Sequence, residues 1–162
     1  PRGGTEPTLI ATSRAAAFGD LDNDGDMDIV VVNRDGPAHL LRNLAIDQKA
    51  SASGGPAASE GRHWIEFRVL EAHGRDALGA TLSINSGGRV ISRDVRSAYS
   101  YCAASDSRVH VGLGRAAEVA DVSVRWPDGS REDFGGFPCD RINTLLRGRG
   151  SAPAAEIRRR SV

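Results

Sequence analysis

The chain has 162 residues, and its 21 Arg and Lys are balanced by 21 Asp and Glu. That length can bury the core of one ordinary domain or two small ones, and a zero net charge offers no general positive field for nucleic acid. No apolar run approaches the roughly 18 residues of a membrane-spanning helix, so no transmembrane segment is expected.

In chain order, Thr8 to Thr12 is a first candidate strand, followed by an acidic stretch from Phe18 to Asp28. Ile29-Val30-Val31-Val32-Asn33 is β-branched and apolar on both faces, and His39 to Asn43 can return beside it as a hairpin. Residues 45–61, rich in Ala, Ser and Gly, read as a linker. Beyond it Ile65, Phe67 and Val69 alternate with polar residues, as do Leu82 and Ile84. Asn85-Ser86-Gly87-Gly88 is a turn into the run Arg89 to Val95. Val109 and Val111 flank His110, and Val122, Val124 and Trp126 alternate up to the turn Pro127-Asp128-Gly129-Ser130. Period-two patterning with turn residues between runs, and no amphipathic helix, predicts an all-β chain. The expected form is a hairpin entered through that acidic loop and packed on an antiparallel β-sandwich or partly open barrel of about six to eight strands. Residues 149–162 are expected to be a flexible basic tail. Met27 is the single methionine and is internal, so the chain is expected to be a processed product or a piece of a longer one.

The charge is unevenly spread. Residues 1–47 hold eight acids and four bases, and the excess sits in Asp20-Leu21-Asp22-Asn23-Asp24-Gly25-Asp26-Met27-Asp28. Carboxylates at every second position would repel one another without a cation. A hard ion such as Ca²⁺ takes six to eight oxygens, and Asp20, Asp22 and Asp24 occupy loop positions 1, 3 and 5. Gly25 permits the sharp turn, Asp26 would offer its carbonyl, and Asp28 would close the site. An EF-hand would need Glu at position 12, which is Val31, so this is a calcium loop leading into a strand. The competing reading is a solvated acidic turn.

Other signals are weaker. Gly112-Leu113-Gly114-Arg115-Ala116-Ala117 matches a dinucleotide fingerprint but lacks a following helix, and reads better as a turn between strands. His39, His63, His73 and His110 show no paired metal spacing, and no nucleophile elbow is present. Trp64 and Trp126 are either core residues or sugar-stacking surfaces, with core preferred. Arg89, Arg93 and Arg96 form either a basic stripe or an ordinary solvated strand face.

The segment Ala15 to Ile29, with the hairpin Val32 to Asn43, resembles the FG-GAP or VCBS repeat, which forms blades of β-propellers and binds calcium in this loop. His63-Trp64-Ile65, Arg75-Asp76-Ala77-Leu78-Gly79-Ala80, Tyr99-Ser100-Tyr101, the run Asp106 to Gly114, and Val124 to Gly129 resemble the ASPIC/UnbV domain. The order is that of the C-terminal part of cartilage acidic protein-like secreted bacterial proteins. The resemblance assigns residues 1–44 to the repeat and 62–148 to the second domain. It implies an extracellular, calcium-binding, non-catalytic module of adhesion or matrix type, without a defined ligand. The alternative is a C-terminal fragment of a calcium-loaded propeller enzyme or carbohydrate-binding protein.

Two further expectations depend on that resemblance. A secreted chain would pair its two cysteines, Cys102 and Cys139. A single repeat cannot close a propeller, so its edge strand should add to a parent propeller or a neighbouring subunit, in the second case propagating into a polymer. Carbohydrate is a further candidate partner.

Overall fold

The structure is a computed structural model and describes residues 10–44 and 62–153. The expected linker at 45–61 lies outside the described residues. Ten strands and no helix make up the described residues. Strands β1 (Ser13–Gly19), β2 (Asp28–Asn33) and β3 (His39–Leu41) form an antiparallel sheet with β2 in the middle. The first strand thus lies at Ser13–Gly19 and not at Thr8 to Thr12; residues 10–12 are not strand, and Thr8 and Leu9 lie outside the described residues. It starts where pairing with Asn33 begins, and the small side chains of Ala15, Ala16 and Ala17 face Val32, Val31 and Val30.

The second unit holds seven strands in two sheets. They are β4 (His63–Leu70), β5 (Thr81–Ser86), β6 (Arg89–Asp94), β7 (Val109–Gly114), β8 (Glu118–Arg125), β9 (Arg131–Pro138) and β10 (Ile142–Leu146). One sheet has the order β6-β5-β8-β9 and is antiparallel throughout. The other has the order β10-β4-β7, and here β10 runs parallel to β4. The sandwich is therefore mixed, which corrects the antiparallel expectation. Parallel pairing needs a long connection between the two strands, and here the whole of β5 to β9 supplies it.

The alternation read from sequence is what fills the space between the sheets. Ile65, Phe67 and Val69 of β4, Leu82 and Ile84 of β5, and Val122, Val124 and Trp126 are all 0–1% exposed. Trp126 is thus a core residue, as its alternation predicts. Phe67 meets Phe137 edge-to-face with ring centroids 5.4 Å apart. The turn after β5 places Gly87 and Gly88 at φ 57° and 79°, the conformation a two-residue hairpin demands. Gly114, in the segment that mimics a dinucleotide fingerprint, ends β7 at φ 61° before the chain enters β8.

The tail does not loosen at residue 149. The Glu132 carboxylate accepts the N–H groups of Gly148 and Gly150 at 3.0 Å, and Ser151 bridges Asp133. The chain is held to that point, and residues 154–162 lie outside the described residues.

The expected Cys102–Cys139 disulfide is absent: both thiols are free, Cys102 exposed and Cys139 buried. They sit in different neighbourhoods. Cys102 lies in the turn closed by the Ser100–Ala103 bridge, at φ 52°, while the Cys139 thiol donates to the Ala117 carbonyl at the end of β9. Unfolding the unreduced protein should therefore expose two reactive thiols per chain, and the native protein should label at Cys102 first. A thiol count of zero after unfolding would restore the disulfide.

Candidate metal centre

The acidic loop begins where β1 ends and stops where β2 begins. Its carboxylates first organise its own backbone. Asp20, fully buried, accepts the N–H groups of Asp24 (3.1 Å) and Gly25 (2.9 Å) through separate oxygens. Asp28, 1% exposed, accepts those of Leu21 (3.2 Å) and Asn43 (2.8 Å). One Asp24 oxygen accepts the Asp26 N–H at 2.8 Å. Asp22 pairs with Arg42.

This folding brings three of the five predicted site residues into one cluster. Carboxylate oxygens of Asp20, Asp22 and Asp24 all lie within 4.8 Å of one another. Asp26 and Asp28 are not part of that group, and Asp28 is held by backbone donors at the start of the loop (Leu21) and just after β3 (Asn43). The remaining Asp24 oxygen is buried and has no hydrogen-bond partner. Burial, then the charges of Asp22, Asp26 and Asp20, hold the Asp24 carboxyl above its usual range, against the hydrogen bond from Asp26. A converging set of hard oxygens with one buried oxygen unsatisfied fits the donor chemistry of a hard divalent cation.

The loop is seated on the outer face of the β10-β4-β7 sheet. Pairing of β4 with β7 sets Glu66 opposite His110 and Trp64 opposite Gly112. Trp64 and His110 stack, with centroids 6.1 Å apart. The His110 Nε2 lies 2.7 Å from the Gly25 carbonyl, so that nitrogen carries the proton and donates. The Trp64 indole lies against Gly25, where a Cβ would fall 2.1 Å from ring atom Cε2. Trp64 therefore covers the loop and is not a core residue. This corrects the expected core placement of Trp64, because it sits on the face of β4 opposite Ile65.

Arg108, just before β7, ties loop and sheet together. Its Nη1 donates to the Asn23 side-chain oxygen at 2.7 Å, Nη2 to the Asp20 carbonyl at 2.6 Å, and Nε to Asp106 at 2.6 Å. Nη1 also lies 2.9 Å from Glu66 Oε2, an ion pair without hydrogen-bond alignment. Glu66 is 1% exposed on a face that sequence alone would assign to solvent. Burial pushes its carboxyl up to about 7, against the pull of Arg108 and helped by Asp106 and Asp20. The edge of β1 is closed by the same segment: Asp106 N–H donates to the Phe18 carbonyl (2.9 Å), and Phe18 N–H to the Ser105 hydroxyl (3.2 Å).

A second cluster joins His63, Cys139 and Asp140, residues that no sequence spacing connects. His63 Nδ1 lies 2.7 Å from Asp140 Oδ2, and Trp64 N–H donates to Oδ1 at 3.2 Å. The Asp140 N–H donates to the Trp64 carbonyl at 2.7 Å. Burial raises the Asp140 carboxyl, but the hydrogen bonds from His63 and Trp64 outweigh it and leave it below its usual range. These contacts clamp the start of β4 to the end of β9.

Two tests follow from this geometry. Gly25→Ala forces a side chain into a φ of 94° and into the Trp64 ring. It should cost about 2–4 kcal/mol by urea unfolding, and Trp64→Ala should relieve the steric part of that loss; an unaffected Gly25→Ala would refute the seating. For Glu66 the folded pKa is about 7 and the unfolded value about 4.5. Between those values the native state keeps a proton that the unfolded chain has released, so stability falls as pH rises through this window. In calcium-free buffer the wild type should lose roughly 2–3 kcal/mol relative to Glu66→Gln between pH 5 and 8. Parallel pH profiles would contradict the assignment.

Comparison with known families agrees with the second unit. Residues 71–152, just over half of the 162, match the family model described as ASPIC and UnbV. The match starts after β4, although β4 is the central strand of its sheet, so the structural unit begins at His63. Curated proteins give no match. On the extent of this match, the chain belongs to the ASPIC and UnbV family.

Proposed function

We propose that this chain is an extracellular, calcium-stabilised, non-catalytic binding or structural module. Its first unit would be an FG-GAP or VCBS-type repeat that binds one Ca²⁺ through Asp20, Asp22 and Asp24, with Asp26 offering its carbonyl and Asp28 completing the site. The observation that carries this reading is the cluster of three carboxylates within 4.8 Å, with a buried, partnerless oxygen on Asp24. The bound ion would supply the positive charge that such a cluster needs, and the loop would order the start of β2. Extracellular calcium is millimolar, so an affinity of about 10⁻⁴ to 10⁻³ M suffices, as in other extracellular modules. The same condition favours a location outside the cell.

The repeat would also be an assembly surface. β3 is a free edge of its sheet among the described residues, and it carries Leu40 at 54% exposure. A strand from a parent propeller or a second copy could add there.

One set of samples tests both parts. Calcium is titrated into chelated protein while thermal unfolding is followed. At 100 times its Kd calcium should add about 2.7 kcal/mol, a rise in Tm of roughly 5–10 °C. Asp22→Ala/Asp24→Ala should abolish that rise, and an equal rise in the double variant would exclude the site. Light scattering on the calcium-loaded samples should show species larger than one chain, and a strict monomer at all concentrations would exclude self-assembly.

A further inference from the structure

A cavity of about 610 Å³ opens beside the seated loop, where the two units meet. Its volume lies within the roughly 300–1,000 Å³ of small-molecule sites. Phe18 and Met27 reach it from the first unit, and Arg93, Asp94, Arg96 and Tyr99 from the second. Neither unit alone makes it.

Its chemistry is mixed in a specific way. Arg93 and Arg96 have no carboxylate partner among the described residues. Arg93 donates from Nη1 to the Ser92 carbonyl at 2.9 Å, which leaves other guanidinium donors free. The Arg96 guanidinium lies 4.2 Å from the Tyr99 ring centroid, a cation–π contact that leaves its N–H groups available as donors. Tyr99 is 52% exposed and Phe18 40%, large exposures for aromatic rings that line a concave site. Asp94 also lines the cavity, and its Oδ1 accepts the Thr81 hydroxyl at 3.1 Å.

Each group selects against some ligands. Two guanidiniums without carboxylate partners call for an anion, and a planar carboxylate suits their paired donors. Asp94 and Asp106 in the same cavity would repel a multiply charged phosphate or sulfate, yet a carboxylate accepts well from hydroxyl groups. Exposed aromatic faces favour a ligand with an apolar C–H surface over a fully polar one. A ligand that is singly charged per ring, hydroxyl-rich and partly apolar satisfies all three conditions.

We infer that this cavity binds a short acidic saccharide, its uronate carboxylate held by Arg93 and Arg96 and a sugar face laid against Tyr99 or Phe18. The site is distinct from the acidic loop, and its ligand needs no metal. It gives a binding role to the interface between the units and to part of the arginine stripe visible in the sequence.

The test is titration of a glucuronate trisaccharide into the full chain, followed by amide chemical shifts and calorimetry in calcium-containing buffer. A glucose trisaccharide and a sulfated trisaccharide serve as comparisons. The uronate should bind and shift amides around Tyr99 and Arg96. Affinity should fall at least about tenfold in Arg93→Gln/Arg96→Gln, a change confined to exposed side chains, and similarly in Tyr99→Ala. The neutral sugar should bind at least about tenfold more weakly than the uronate. No uronate binding, equal binding by the neutral sugar, or an unchanged Kd in the double variant would overturn the proposal. Tighter binding of the sulfated sugar with the same variant sensitivity would also overturn it, by showing a general anion surface. The loop variant Asp22→Ala/Asp24→Ala, assayed alongside, should retain uronate binding while losing the calcium-induced rise in Tm, so the two readings fail separately.

Discussion

The position of Arg108 decides how the two units of this chain relate. Its guanidinium meets a buried carboxylate on β4, a second carboxylate on its own turn, a side-chain amide and a backbone carbonyl of the acidic loop. Only a planar fork with five donors satisfies acceptors in so many directions. Remove it and Glu66 is left as an uncompensated carboxyl under a loop of aspartates, a situation whose cost runs to several kcal/mol in buried pairs generally. The loop would lose its two contacts to the guanidinium at the same time. Charge balance under the loop thus depends on one side chain, which also shares in seating the loop.

That double burial changes the meaning of the sheet. Ile65, Phe67 and Val69 face a conventional apolar core, whereas Trp64 and Glu66 face the loop. The two sides use different physics: apolar area on one, and hydrogen bonds, stacking and a single buried ion pair on the other. The second side tolerates no side chain at Gly25, because the indole already fills the space. The acidic loop is therefore shaped from outside by Trp64 and His110 as much as from inside by its own Asx-type hydrogen bonds.

Much of this was legible in the residues, and what was not has a common cause. Strands β4, β5 and β8 announce themselves by strict alternation, and the acidic loop by carboxylates at every second position before a glycine. Strand β9 does not, because Gly135 and Gly136 interrupt its pattern where the pairing with β8 shifts. The first strand lies later than the sequence suggests, because an alanine run carries no face of its own until Val30, Val31 and Val32 lie beside it. Trp64, Glu66, Arg108 and His110 were unreadable as a set, since they become neighbours only through β4–β7 pairing. The cysteines illustrate the same point from the other side: two thiols in one chain suggest a bond, but only the fold decides whether they share a neighbourhood.

The parallel pairing of β10 with β4 has a consequence for the order in which this chain can become native. Glu66 aligns with Ile142, and on its other side with His110, so the central strand of its sheet waits for partners that are made much later. Contacts of such long sequence separation pay their loop entropy before they return anything. The acidic loop precedes every strand that seats it. Its seat, however, is built from β4 and β7, and β4 is flanked only once β10 arrives. The loop is thereby made before its seat and must wait for it, with its aspartates in water until β4, β7 and β10 have all been delivered.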